Sequence, residues 1–108
     1  DTEILLTHTP PYMMLDKAKG IPLGELFLTE KINTNGSLEN LKVHSFGHIH
    51  EGAGIDKVDN IWFLNASFMD DWYMPRIERV YIGLFDDDKN CVVLEEYDKT
   101  NEELYKQF

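Results

Sequence analysis

Apolar positions along the chain gather in short branched runs separated by turn-rich polar stretches, with one helical interval between them. Residues 3 to 7, EILLT, form a compact apolar run that reads as a buried strand; Pro10 and Pro11 stop it and leave His8 at its carboxyl end. Residues 12 to 22 hold Gly20 and Pro22 and read as loop. From 23 to 33, LGELFLTEKIN, residues Leu23, Leu26, Phe27, Glu30 and Ile32 fall near helical spacing, which predicts a helix broken by Asn35-Gly36. Leu41 to Phe46 reads as a second strand ending at Gly47. Residues 47 to 54 carry three glycines and read as an irregular loop. Asp59-Asn60 makes a turn before a strand at 61 to 65, IWFLN, and 66 to 77 is loop-like. Residues 78 to 85, ERVYIGLF, read as a strand joined by a hairpin connection at 86 to 90 to a return strand at 91 to 97. A short helix over 100 to 107 would be capped by Thr100 or Asn101. One early helix set among many short strands predicts an α/β fold with mixed strands.

Composition narrows the classes. A chain of 108 residues is one domain or part of one. With 43% hydrophobic and 12% aromatic residues it is not a disordered chain. A net charge of −10 argues against unaided binding to nucleic acid or to an anionic membrane. The same charge opposes a phosphate substrate unless local cations or bound metals outweigh it. The single cysteine, Cys91, excludes an internal disulfide framework and points to a cytoplasmic setting. No apolar run approaches the ~20 residues needed to span a bilayer. The chain begins with Asp1 and enters a strand almost at once, which suggests the back portion of a longer domain.

Candidate chemistry sits in the histidines. HSFGHIH, residues 44 to 50, holds three of the four. In an extended segment His48 and His50 point to one side, roughly 6 to 7 Å apart, so each could reach a different member of a metal pair ~3.5–4 Å apart. Gly47 frees the backbone just before the first of them. His8 ends a separate strand, and strand ends along one edge of an α/β sheet are where ligands collect. A lone His-x-His is common, and the ordinary reading of any one histidine is a hydrogen-bonded, half-buried residue.

The wording around these histidines is more specific. GHIH at 47 to 50 resembles the Gly-His-x-His motif of calcineurin-like metallophosphoesterases, and LLTHTPP at 5 to 11 resembles the family's preceding single-histidine motif. THTPP, FGHIHEGAG and FLNAS, in that order, resemble the branch of metallophosphoesterase-domain-containing proteins. The resemblance spans residues 3 to 76; the hairpin and tail from 78 to 108 add no family motif. It implies that residues 1 to 108 are the C-terminal half of a metallophosphoesterase-type sandwich of mixed sheets. It also implies that His8 and His48 ligate the second of two divalent metals (Mn, Fe or Zn) and that His50 ligates the first. His44 matches no ligand position and reads as a core residue. Asn65 matches the Asn of Asn-Ala-Ser, for which a strand-ending turn is the simplest role.

The family's Asp-x-His, Gly-Asp-x-x-Asp and Gly-Asn-His motifs have no counterpart before residue 8. Those motifs supply the bridging carboxylate, the remaining ligands and the histidine that assists the leaving group. Asp16, Asp56, Asp70 and Asp71 do not form such patterns, and three neutral imidazoles do not balance two divalent cations. No catalytic residue is therefore assigned within the chain, and alone it is expected to be inactive. The resemblance implies a phosphodiester or phosphomonoester as substrate of the complete domain. The alternative is a non-catalytic remnant or interaction module that retains the half-fold. Either way the apolar strands predict a partner surface, filled by a second copy or by the missing N-terminal half.

Other candidates are weaker. Asp86 to Asp88 lack the spacing of a calcium loop and read as a solvated turn. Trp72 to Pro75 could form a lip over a substrate ring or pack on the sheet. Ser45 and Ser67 have no histidine-acid pattern beside them. Cys91 reads as a small buried hydrophobe, and EEYDKTNEEL as a solvated charged face.

Overall fold

The computed structural model describes residues 2–34, 38–76, 79–86 and 91–96. In chain order its elements are β1 (Ile4–Leu6), β2 (Lys17–Ala18), β3 (Ile21–Pro22), α1 (Leu26–Thr34), β4 (Val43–Phe46), a 3-10 turn (His50–Gly52), β5 (Gly54–Val58), β6 (Ile61–Asn65), β7 (Tyr81–Phe85) and β8 (Cys91–Glu96). The central sheet has the order β1-β4-β6-β5, with β1, β4 and β6 parallel and β5 antiparallel to β6. β7 and β8 form a separate antiparallel ribbon with a register shift after Leu84. The architecture is α/β with mixed short strands, as the sequence pattern requires. Among the described residues no helix is long and apolar enough to cross a membrane.

The register sorts the side chains. Leu5, His44 and Phe63 lie side by side on one face, with Phe46 and Asn65 next along it. On this face His44, Phe46, Phe63 and Asn65 are all buried. Helix α1 and the loop before it border the same face: Pro11, Met14, Thr29, Ile32, Asn33, Val58 and Phe63 line a cavity of about 170 Å³. Ile4, Val43 and Trp62 share the opposite face, where Val43 is buried but Ile4 is 52% exposed. Leu6, on that face too, is 74% exposed. The expectation of a wholly buried first strand is therefore corrected. Among the described residues β1 is an edge strand, paired with β4, and its outward side chains Ile4 and Leu6 are exposed.

Three further differences have local causes. The helix begins at Leu26 rather than at 23. Residues 23 to 25 are held against the preceding loop instead: Leu23 N–H donates to the Asp16 carbonyl (3.0 Å) and Glu25 N–H to the Pro10 carbonyl (2.9 Å). Helical spacing also mispointed the apolar face. Leu26 and Phe27 are exposed, with the Lys31 ammonium 5.3 Å from the Phe27 ring centre, while Thr29, Ile32 and Asn33 border the sheet cavity. Within the expected loop at 12 to 22, β2 and β3 pair around Lys19 and Gly20, whose φ values of 52° and 77° suit a type I′ hairpin turn.

β5 is a strand that the sequence pattern does not announce. GIDKV has little alternation, yet Asp59 and Asn60 (φ 50° and 70°) make another tight turn of this hand. That turn folds residues 54 to 58 back onto β6, with Val58 opposite Ile61. The connection at 87–90, the expected helix at 100–107 and the burial of Cys91 lie outside the described residues.

Candidate functional site

The parallel pairing of β1 and β4 continues past both strand ends. Thr7 N–H donates to the Ser45 carbonyl (3.0 Å) and Gly47 N–H to the His8 carbonyl (3.1 Å). This carries His8 and His48 to the same carboxyl edge of the sheet, with ring centres 4.7 Å apart and planes inclined by 41°. His48 has φ 69°, a left-handed conformation that histidine tolerates better than branched residues do. Ile49 N–H donates to the Gly47 carbonyl (2.8 Å), closing a tight turn around His48.

His50 opens the 3-10 turn that follows and is held from outside it. Its Nδ1 lies 3.0 Å from the Asp70 carbonyl, which can only accept, so the ring donates from Nδ1. The edge of Tyr73 meets the His50 ring at 5.3 Å and 80°. Arg79 Nη1 donates to the His50 carbonyl (3.1 Å) and to the Met69 carbonyl (2.6 Å), tying the histidine turn to the loop after β6.

That loop is organised by Asp70. One carboxylate oxygen accepts from the amides of Trp72 (2.9 Å) and Met74 (3.0 Å). The other accepts from Arg76 through Nε (2.9 Å) and Nη2 (2.6 Å). The Met74 amide foremost, then the Trp72 amide and the Arg76 guanidinium, hold the Asp70 carboxyl below the usual carboxylate range against the opposing effect of burial. Trp72 and Tyr73 stand 79% and 73% exposed at the loop tip. Of the two positions open to this loop, packing on the sheet is thus excluded for these rings.

Asn65 has a larger role than a strand-ending turn. Fully buried, it donates through Nδ2 to the carbonyls of Leu15 (2.9 Å) and Ile49 (2.8 Å). Its Oδ1 accepts from Ser67 N–H (3.1 Å) and Ser67 Oγ (2.7 Å). All four hydrogen-bonding positions of the carboxamide are filled. One side chain thereby fixes the strand end, the loop after Pro11 and the peptide between His48 and His50.

His44 is the core residue that its place in β4 suggests. It is fully buried between Phe46 and Phe63, with ring centres 5.0 and 5.9 Å away. Thr7 Oγ1 donates to the Thr9 carbonyl (2.8 Å) and lies 2.9 Å from His44 Nε2, so Nε2 is the protonated nitrogen. His44 Nδ1 is buried with no partner among the described residues. Burial lowers the His44 pKa from 6.5 to about 4, which keeps the ring neutral.

The structure therefore brings His8 and His48 into ring contact, and His48 and His50 line one open cleft with Ala18, Glu51, Asp71 and Tyr73. The cleft measures about 240 Å³. Its carboxylates oppose a phosphate and favour cations. A metal ion needs a closed set of donors, and among the described residues no three His, Cys, Asp or Glu side chains converge to hold one. The histidines of the described residues do not make a complete metal site by themselves. Asp70 and Arg79 were not legible as site residues in the sequence, and Asn65 was so only in part. Only the position of Asn65 within FLNAS marked it, and nothing marked the other two.

No family model matches the chain. It is 35% identical over 84 residues to human metallophosphoesterase domain-containing protein 1, covering 76% of this chain and 25% of that protein. It is 34% identical over 73 residues to a UPF0046 protein of Caenorhabditis elegans, covering 63% of this chain and 25% of that one. An uncharacterized protein of Methanocaldococcus jannaschii is 33% identical over 97 residues, covering 86% of this chain and 38% of its own length. The chain thus spans about a quarter to two fifths of the curated relatives it matches. With its mixed α/β sheet, the chain is thus similar over about three quarters of its length to proteins named metallophosphoesterase domain-containing protein 1.

Proposed function

We propose that this chain is the C-terminal part of a two-metal phosphoesterase and supplies His8, His48 and His50 to its centre. The observation that carries the reading is the contact of the His8 and His48 rings, 4.7 Å apart, on strands that the fold alone brings together. His50 stands two residues on, bordering the cleft that His48 lines. The complete centre would draw its carboxylates from outside these 108 residues. When bound, divalent metals (Mn, Fe or Zn) supply the positive charge that a phosphomonoester or phosphodiester requires. This chain's own part is to present uncharged nitrogen donors in fixed positions and, through Glu51 and Asp71, to attract cations to the cleft.

Two measurements test this. Titration of the labelled chain with Mn²⁺ should broaden the imidazole signals of His8 and His48 together, and His48→Ala should abolish the response at His8. Independent responses, or none, would overturn the shared site. Assayed on bis-p-nitrophenyl phosphate with Mn²⁺, the purified chain should show no turnover; turnover that disappears in His48→Ala would show that it needs no further carboxylates.

A further inference from the structure

We infer that Asp70 is a positioning residue for His50: it holds the imidazole with Nδ1 protonated and leaves Nε2 as the ring's free acceptor. The inference rests on the proposed histidine site for its purpose, but not for its geometry. A neutral imidazole carries one N–H. Here that N–H is committed to the Asp70 carbonyl at 3.0 Å, so the lone pair remains on Nε2. A histidine binds a metal only through an unprotonated nitrogen, and the hydrogen bond at the other nitrogen decides which one is available.

The carbonyl can do this because it cannot move freely. Asp70 N–H donates to the Met74 carbonyl (2.9 Å), and the Asp70 carbonyl also accepts from Tyr73 N–H (3.0 Å). The side chain accepts from two amides further along the same loop and from the Arg76 guanidinium. Asp70 is thus bonded through its amide, its carbonyl and both carboxylate oxygens, and it is buried. Met69 and Pro75 bridge at the neck of the loop, closing it into a self-contained unit.

Tyr73 shows that the loop is held against local preference. Its φ of 60° is unfavourable for a bulky side chain. The conformation is secured by the Tyr73 amide on the Asp70 carbonyl and places the ring edge-on to His50. One carboxylate therefore fixes both the hydrogen-bond partner and the aromatic neighbour of His50. An asparagine could keep the Trp72 and Met74 bonds through its carbonyl oxygen. It would lose the charged pair with Arg76 and hold the loop less firmly. An alanine would keep neither.

Long-range nitrogen–proton spectra of the uniformly ¹⁵N-labelled chain at pH 8, without metal, test this. The wild type should show His50 with a protonated Nδ1 and a bare Nε2. Asp70→Asn, which loses only the charged pair with Arg76, should show partial averaging of that signature, and Asp70→Ala should lose it to exchange between tautomers. Should Asp70→Ala fail to fold, Arg76→Ala serves in its place and should show partial averaging at His50 alone. A wild-type His50 protonated on Nε2 would overturn the inference. So would an unchanged His50 signature in folded Asp70→Ala or, where that variant fails to fold, in folded Arg76→Ala. Mn²⁺ alone is then added. If the tautomer is as stated but Mn²⁺ leaves His8, His48 and His50 unbroadened, the positioning stands and the two-metal reading falls.

Discussion

The side-chain amide of Asn65 donates to the Ile49 carbonyl across 2.8 Å, from a strand end with no solvent access. Because Ile49 is the residue between His48 and His50, this bond sets where both histidines leave the backbone.

Asn65→Ala would leave the Leu15 carbonyl and the Ser67 amide without partners and the Ile49 carbonyl with only its bond from Gly52 N–H. A buried polar group left unpaired costs about 1–3 kcal/mol, and relaxation shares some of the loss, so a total near 2–4 kcal/mol is expected. Urea unfolding should show a lowered midpoint at unchanged slope. Ser67→Ala removes only one hydroxyl donor from Asn65 Oδ1 and should cost about 1 kcal/mol.

Gly52 and Gly47 flank the same turn but differ in tolerance. A methyl group on Gly52 would collide with the Leu15 carbonyl and press within 3.1 Å of Asn65 Nδ2. Gly52→Ala should therefore destabilise by about 1–3 kcal/mol. The nearest neighbour of a methyl on Gly47 is Ser67 Oγ at 3.6 Å, an ordinary contact. Gly47→Ala should fall within about 0.5–1 kcal/mol of wild type. Thermal melts of the two variants side by side decide the ranking.

His44 predicts an acid-sensitive fold. Its pKa is 6.5 in the unfolded chain and about 4 when folded. Between those values the unfolded chain binds the additional proton, so stability falls as the pH drops from 6.5 toward 4. The loss attributable to His44 between pH 7 and pH 5 should be about 2 kcal/mol. His44→Phe, which cannot take up a proton, should show a flatter urea midpoint over this window. A wild-type midpoint that rises on acidification to pH 5 would contradict the assignment.

β1 predicts self-association. Ile4 and Leu6 expose apolar surface on a strand with an open edge, a combination that favours pairing with another chain. At ~25 cal/mol per Å², covering a few hundred Å² outweighs charge repulsion that salt screens over ~10 Å. Sedimentation at low micromolar concentration should show species larger than a monomer, and Leu6→Lys should shift them toward monomer.

The parts of this fold legible in sequence were those with an unambiguous local signal. Branched runs marked β1, β4 and β6, and the two proline and glycine phrases located His8 and His48 at strand ends. β5 escaped because its pairing is imposed by the Asp59-Asn60 turn and not by its own side chains. The outward turn of Leu26 and Phe27 escaped because periodicity gives a face but not what covers it. Asp70 could not be read as a partner of His50 because it acts through its backbone carbonyl, a group that every residue possesses.

The pairing pattern also orders events in folding. β5 and β6 meet across a two-residue turn and close almost no loop, so their ribbon can form early. β1 must find β4 across the whole of α1 and the loops around it, with Ile4 reaching Val43. Such distant pairing waits until its closure entropy is repaid by other contacts. His8 travels with β1, so it should be the last of the histidines to arrive and the first to leave when the edge strand frays. Contact between the His8 and His48 rings is therefore a reporter of the final step of assembly.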